Sequence, residues 1–181
     1  MSLFRILLVT TLLLPCGLSA MPEDAHQPII VESDFAEKNA TTGLTQYTGN
    51  VIIRQGSMII DANQVEIHYR DNRVSRILCN GNPASYQQLN SGGVSVLARA
   101  GTIEYLPTEE LLNLKTDASL SRNGTLIKGD SINYDLQNKT WRAKGDNQGN
   151  QKRIQLVIPP LQKVEDSDIV QPSTTQEKDS Q

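Results

Sequence analysis

Hydrophobic and polar residues alternate along much of the chain. Residues 65–69, 103–105 and 132–136 carry an apolar side chain at every second position, and a period of two is typical of a strand with one buried and one solvated face. Turn signals rich in Asn, Asp, Gly and Pro separate such stretches; they lie at 71–72, 80–83, 90–93, 123–124 and 137–138. Asn123-Gly124 predicts a two-residue hairpin, because both residues accept the positive φ of a type I′ turn. The pattern predicts an all-β meander of many short antiparallel strands.

The chain also contains an internal repeat. Residues 49–67 align without a gap to residues 116–134, a middle copy with a longer loop runs from 81 to 105, and a truncated copy occupies 30–35. The apolar positions that align across the copies are Phe35, Val65, Ile103 and Ile132, at spacings of 30, 38 and 29 residues. Such a period is typical of stacked supersecondary units.

Small residues recur within the repeated unit. Ala62, Ala100 and Gly129 occupy equivalent positions, where a small side chain permits a sharp bend or a close approach of backbones. A bend in every unit would fold the strands across two facing sheets, as an elongated sandwich or jelly roll. The residues predicted to line its interior are Val65, Ile67, Tyr69, Ile103, Tyr105, Ile132, Tyr134 and Leu136 on one side, and Val51, Ile53 and Tyr86 on the other.

Patterning alone leaves two interpretations of this interior open. It is either an ordinary packed core or a space that opens along one seam and accepts an apolar ligand. Burial of acyl chains would stabilise the second arrangement by roughly 0.8 kcal/mol per methylene.

The two ends of the chain differ from its middle. Arg5 precedes an apolar run at 6–14, and a small residue, Ala20, follows, which predicts a signal peptide over residues 1–20. An uncleaved membrane anchor is the alternative, but the apolar run is short for a bilayer of about 30 Å. Residues 161–181 are acidic and rich in Ser, Thr and Gln, which predicts a disordered tail. The folded domain is therefore assigned to residues 21–160.

Composition points away from several functions. The net charge of −3 argues against a basic nucleic-acid-binding surface. The sequence has two His and two Cys and no phosphate-binding or nucleophile-elbow motif, so we predict no catalytic residues, no metal and no cofactor. Cys79 follows two aliphatic residues in an apparent strand, which predicts a buried and inert thiol.

Both terminal strands are aliphatic. One begins after Pro28 and the other ends at Pro159. An exposed strand edge of this kind pairs with another chain unless it is covered, and two such edges allow head-to-tail strand addition. The residues predicted for partner pairing are Ile29, Ile30 and Val31 at one edge, and Ile154, Leu156 and Ile158 at the other.

Five segments resemble those of a known family: QPIIVESD at 27–34, YTGNVI at 47–52, IDANQV at 60–65, GNPA at 81–84 and IKGDSI at 127–132. That family is the OstA-like family of lipopolysaccharide export proteins. The resemblance spans about residues 27–158 and implies a twisted, V-shaped β-jelly roll. It also implies a periplasmic protein, without enzymatic activity, that carries lipopolysaccharide between the inner and outer membranes by its lipid A acyl chains. Its energy would come from a partner ATPase.

The resemblance further implies partners and groove residues. The N-terminal edge would pair with the inner-membrane-anchored component of the export system, and the C-terminal edge with the periplasmic domain of the outer-membrane barrel. Copies of the chain would also join head to tail. Motif position places Ile29, Tyr86 and Tyr105 in the groove. The full candidate groove set is Ile29, Val51, Ile53, Val65, Ile67, Tyr86, Ile103, Tyr105, Ile132 and Tyr134.

Two alternatives remain open. The first is another OstA-like component of the export system. It would be either the amino-terminal periplasmic domain of the outer-membrane barrel, a protein that needs hundreds more residues, or the inner-membrane-anchored component, which needs an uncleaved helix. A secreted β-sandwich enzyme acting on glycans would instead need a carboxylate pair about 5 to 10 Å apart in a cleft.

Overall fold

The computed structural model describes residues 24, 27–89, 93, 95–146 and 153–160. The predicted signal peptide and acidic tail lie outside these residues. The described part forms strands β1 (Ile30–Glu32), β2 (Phe35–Asn39), β3 (Leu44–Gln55), β4 (Met58–Arg70), β5 (Arg73–Leu89), β6 (Ser95–Leu106), β7 (Leu111–Arg122), β8 (Thr125–Asp135), β9 (Thr140–Lys144) and β10 (Gln155–Val157).

All of these strands belong to one antiparallel sheet. Strands β3 to β8 pair in chain order, β1 and β2 both pair with β3, and β9 and β10 both pair with β8. The six central strands are 11 to 17 residues long. The predicted all-β class is therefore confirmed, and the short strands predicted from the pattern are halves of longer ones.

A register shift interrupts every pairing among the six central strands. It falls at Thr48/Val51, Asp61/Gln64, Asn80/Ala84, Arg99/Thr102 and Lys115/Ala118, and so divides each long strand into two segments. Layer A comprises β2, residues 44–48, 64–70, 73–80, 102–106, 111–115 and 131–135, and β9. Layer B comprises β1, residues 51–55, 58–62, 84–89, 95–100, 118–122 and 125–129, and β10.

The backbone at the shifts preserves the buried face on both sides of the bend. In β3, Gly49 and Asn50 have φ of 79° and 45°, and in β7, Thr116 and Asp117 have φ of 68° and 54°. These residue pairs occupy equivalent positions in the two aligned repeats, so the structure confirms the repeat. In β3 and β7, the buried side chains occupy positions of the same parity before and after the pair. In β4, by contrast, the buried positions change from even to odd numbers across the bend at Ala62.

The turn predicted at residues 80–83 is wrong, because this segment lies inside β5. A Cβ on Gly81 would lie 2.6 Å from the backbone nitrogen of Ala84. The chain folds closely on itself there and then resumes pairing with its neighbours, so the segment bends the strand instead of ending it.

Turns join the long strands at the outer ends of each layer. Asn123 and Gly124 have φ of 50° and 76°, which confirms the predicted two-residue hairpin with positive φ at both central residues. Asp71 and Asn72 have the same feature, and residues 136–139 form the turn before β9.

One apolar cluster fills the space between the layers. Of the residues predicted to line the interior, nine are at most 5% exposed: Val51, Ile53, Val65, Ile67, Tyr86, Ile103, Tyr105, Ile132 and Tyr134. Leu136 is partly buried against this cluster. Cys79 is fully buried, as predicted, and burial raises the pKa of its thiol to about 12.

One predicted core residue and one repeat anchor are exposed. Tyr69 is 44% exposed, because a second register shift between His68 and Tyr69 places it at the end of the ladder beside the β4–β5 turn. Phe35, taken as the first repeat anchor, is 61% exposed on β2. The truncated repeat supplies only an edge strand, and nothing in the described structure covers it.

Candidate functional site

The candidate groove residues lie on both walls of the interior. Layer B contributes Val51, Ile53 and Tyr86, and layer A contributes the remaining buried members of the set. Ile29, which precedes β1, is partly buried and packs against the same cluster. The structure therefore brings all ten residues together in one apolar region that passes through every long strand.

A tyrosine pair joins the two walls. The ring centroids of Tyr86 and Tyr105 lie 6.0 Å apart with the planes tilted by 56°, and the Tyr86 hydroxyl donates a 2.7 Å hydrogen bond to Oε1 of Gln88. Burial raises the pKa of Tyr86 well above its ordinary value and that of Tyr105 to about 12. Both hydroxyls therefore remain neutral at physiological pH, which suits an apolar interior.

A second contact between the layers involves Arg122 and Tyr134. Burial raises the pKa of the Tyr134 hydroxyl, and the charge and hydrogen bond of Arg122 oppose only part of that effect. Nε of Arg122 is buried without a hydrogen-bond partner among the described residues. An unpaired buried donor of this kind costs about 1–3 kcal/mol, so this contact is a weak point in the closed interior.

Sequence reasoning missed a polar network around Asp24. The Asp24 carboxylate accepts hydrogen bonds from the backbone nitrogen of Ser57 at 2.8 Å, from the Ser57 hydroxyl at 2.5 Å and from Nε2 of Gln88 at 2.9 Å. Partial burial opposes ionisation, but these bonds outweigh it and lower the pKa of Asp24. The network ties the segment before β1 to the β3–β4 hairpin. The partners are 33 and 64 residues from Asp24, so no local signal could reveal it.

Strands β1 and β2 form the N-terminal edge of the sheet. Ile30 is 54% exposed, and Val31 is partly buried against the core. Ile29 lies outside β1, because its pairing position coincides with the end of β3 at Gln55. Strand β2 was not predicted, since all its residues are exposed and its sequence lacks a buried alternating face.

Strands β9 and β10 form the C-terminal edge. Ile154, Leu156 and Ile158 are 46%, 45% and 69% exposed. The predicted strand 154–158 is shorter than expected, because only Gln155–Val157 pairs with β8. Ile154 would pair where β8 bends at Gly129, and Ile158 immediately precedes a proline, which restricts its backbone. Strand β9, with Trp141 45% exposed, was not predicted.

Each edge therefore consists of two strands, one in each layer. At the N-terminal end, β1 belongs to layer B and β2 to layer A; at the C-terminal end, β10 belongs to layer B and β9 to layer A. A partner that continues both layers has to pair with both members of an edge.

The described residues contain no group of three or more His, Cys, Asp or Glu side chains that could hold a metal ion. The carboxyl groups among them whose pKa departs from the ordinary value are Asp24, Glu104 and Asp135, and all three are lowered. A glycosidase general acid needs a raised pKa, so none of the three meets that requirement. No helix of the described chain is both long and apolar enough to cross a bilayer.

Comparison with known proteins agrees with this architecture. Residues 30–140 match the family model described as LptA/(LptD N-terminal domain) LPS transport protein. The chain is 32% identical to the lipopolysaccharide export system protein LptH of Pseudomonas aeruginosa, over 81% of this chain and 87% of that protein. It is 28% identical to LptA of Haemophilus influenzae over 87% and 92% of the two chains, and 29% identical to LptA of Escherichia coli K12 over 79% and 77%.

The fold matches a solved relative. The crystal structure of Pseudomonas aeruginosa LptH, described as the LptA homologous periplasmic component of the lipopolysaccharide transport device, superposes with a TM-score of 0.71 at 30% identity. The match covers 77% of this chain and all of that one. The predicted twisted, V-shaped β-jelly roll and the resemblance to OstA-like proteins are thereby confirmed. The chain belongs to the LptA and LptD N-terminal domain family of LPS transport proteins.

Proposed function

We propose that this chain is a non-enzymatic periplasmic carrier of lipopolysaccharide, which holds the acyl chains of lipid A between layers A and B. The observation that carries the proposal is the apolar interior, which extends through all six long strands and ends at two exposed edges. The relatives named LptA and LptH belong to lipopolysaccharide export systems. Removal of residues 1–20, folding of residues 21–160 and a disordered tail at 161–181 complete the proposal.

The closed interior sets the energetic requirement for loading. Lipid enters by separating the layers, which breaks contacts such as the Tyr86–Tyr105 pair. An acyl chain of ten methylenes contributes about 8 kcal/mol on burial, and a typical domain is stable by about 5–15 kcal/mol in total. The free energy of burying the acyl chain can therefore compensate for the contacts that the chain displaces, and the carrier itself needs no nucleotide.

Photocrosslinking tests the position of the cargo. A photoreactive amino acid replaces Tyr105, which faces the interior, or Leu97, which lies on the same strand and is 48% exposed. After irradiation in cells and purification, lipopolysaccharide is detected by immunoblot. We expect a crosslinked product at Tyr105 and none at Leu97. Equal labelling at both positions, or labelling at Leu97 alone, would contradict binding between the layers.

The two edges are proposed to make the connections. In this arrangement β1 and β2 pair with the inner-membrane-anchored component, and β9 and β10 pair with the periplasmic domain of the outer-membrane barrel. Copies of the chain also add to each other from C-terminal edge to N-terminal edge. The exposed apolar side chains at both edges, including Ile30 and Leu156, support this proposal, because uncovered edges of this kind seek a partner.

A proline substitution in β10 tests the proposal that partners pair with this edge. Leu156→Pro removes a backbone N–H donor from β10, whereas Leu156→Ala is a matched control that removes side-chain area and keeps the donor. Light scattering at increasing concentration should show self-association of the wild type and the Ala variant, and its loss in the Pro variant. Unchanged association of a folded Pro variant would refute pairing through β10.

A further inference from the structure

A cleft of about 650 Å³ lies on the outer surface of layer B, next to the bend and away from the apolar interior. Its lining comes from β5, β6, β7, β8, the start of β10 and Arg153. The lining includes three basic residues, Arg99, Lys128 and Arg153, and one acidic residue, Asp117. The cleft thus collects an excess of positive charge on a chain whose net charge is −3.

The strand register fixes the positions of these cations. Arg99 pairs with Ser119, Ser119 pairs with Lys128, and Lys128 pairs with Gln155. Arg99 and Lys128 are therefore two strands apart, about 10 Å across the sheet. Arg153 lies two residues before Gln155, the residue of this cross-strand row at the C-terminal edge, and also lines the cleft. Three separate parts of the chain supply one charge each.

Among the described residues, Arg99, Lys128 and Arg153 form no ion pair or hydrogen bond with a carboxylate. Other arginines of the protein do find such partners: Arg54 lies 2.5 Å from Glu32, and Arg76 pairs with Glu104. Like charges placed together without a counter-ion repel each other, and a bound anion would reverse that effect.

The rest of the lining suits an anion with several oxygen atoms. Thr116 and Ser119 offer hydroxyl donors, and Gly101 and Gly129 line the cleft at the bend without side chains of their own. A Cβ on Gly129 would come within 2.7 Å of the Lys144 carbonyl oxygen, so the close approach of β9 requires a glycine at this point of the wall. Guanidinium groups bind phosphate through paired hydrogen bonds.

We propose that this cleft is a phosphate-binding site, which takes a phosphate group carried by a small saccharide or by a lipid head group. A bound phosphate would connect Arg153 to β6 and β8, and so hold the start of β10 against layer B. The site is separate from the apolar interior, and the proposal does not depend on where acyl chains bind.

The test is an NMR titration of the full mature chain with inorganic phosphate at constant ionic strength. We expect saturable shifts of the Gly101 and Gly129 amide signals. The double variant Arg99→Gln/Lys128→Gln should bind phosphate about tenfold more weakly or worse. The double variant Arg70→Gln/Arg73→Gln removes the same charge at a layer A hairpin and should bind like the wild type.

Two further titrations identify the carrier of the phosphate. Saturable binding of glucose 1-phosphate indicates a phosphorylated saccharide, and binding to phosphatidylglycerol vesicles but not phosphatidylcholine vesicles indicates a lipid head group. Shifts that sodium chloride reproduces at equal ionic strength, shifts that never saturate, or equal weakening in the two double variants would each overturn the proposal.

Discussion

Shortening one interior side chain should show how much the closed interior contributes to stability. Ile103 is fully buried in layer A, and Ile103→Ala removes the equivalent of about three methylenes, or roughly 2.4 kcal/mol of transfer free energy. The cavity that remains adds to this loss, so the free energy of unfolding should fall by about 2–5 kcal/mol. Leu97→Ala is the matched control: Leu97 lies on the same strand, is 48% exposed, and should cost well under half as much.

Urea unfolding followed by the fluorescence of Trp141, the single tryptophan, measures both variants. With a slope of about 1.5 kcal/mol per molar urea, a 3 kcal/mol loss lowers the midpoint by about 2 M. Lipopolysaccharide should then restore more stability to the Ile103 variant than to the Leu97 variant, because acyl chains can occupy the new cavity. Equal midpoints for the two variants would refute the burial argument, and equal rescue would refute loading beside Ile103.

Three further predictions concern single side chains. Tyr86→Phe loses the hydrogen bond to Gln88 and should destabilise the domain by about 1 kcal/mol in the same urea assay, more than Tyr105→Phe does; the opposite order would contradict the observed contacts. Cys79 should resist iodoacetamide at pH 8 in the native state and react in urea, because burial raises its pKa to about 12; rapid native labelling would contradict its burial. Partial burial of Glu104 is outweighed by hydrogen bonds from Arg76 and Asn113, which lower its pKa below the ordinary 4.5. Its contribution to stability should therefore be complete above about pH 4.5 and vanish as the pH falls through the lowered value, so Glu104→Gln should flatten the acid limb of stability against pH; an unchanged limb would contradict the pairing.

Much of the interior could be predicted because it depends on local alternation. Residues 65–67, 103–105 and 132–134 each show the period of two that a half-buried strand requires, and the apolar side chains of each are buried as expected. The hairpin at Asn123-Gly124 could also be predicted, because its backbone geometry follows from the two residues themselves. The small residues at the bends could be predicted as well, because they occupy equivalent positions in the repeat.

The edges were harder to predict, because their residues are exposed on both faces. Strands β2 and β9 exist only through pairing with β3 and β8, and an exposed strand carries no buried alternation in its sequence. The signals at 80–83 are those of a turn, but they report only that the chain changes direction. Whether the ladder resumes beyond the bend depends on the neighbouring strands, which the local sequence does not contain.

The bend in every long strand connects the two proposed activities, which are carriage of acyl chains in the interior and pairing of partners at the edges. Each central strand contributes one segment to layer A and one to layer B, so the edges β1–β2 and β9–β10 present both layers at once. A partner of the same fold that pairs with both members of an edge extends the sheet and also continues the apolar interior across the junction. Pairing with only one member would leave the two interiors out of line. The proposed path for acyl chains therefore requires contact through both layers, and variants that disrupt β9 alone should still permit association while blocking transfer.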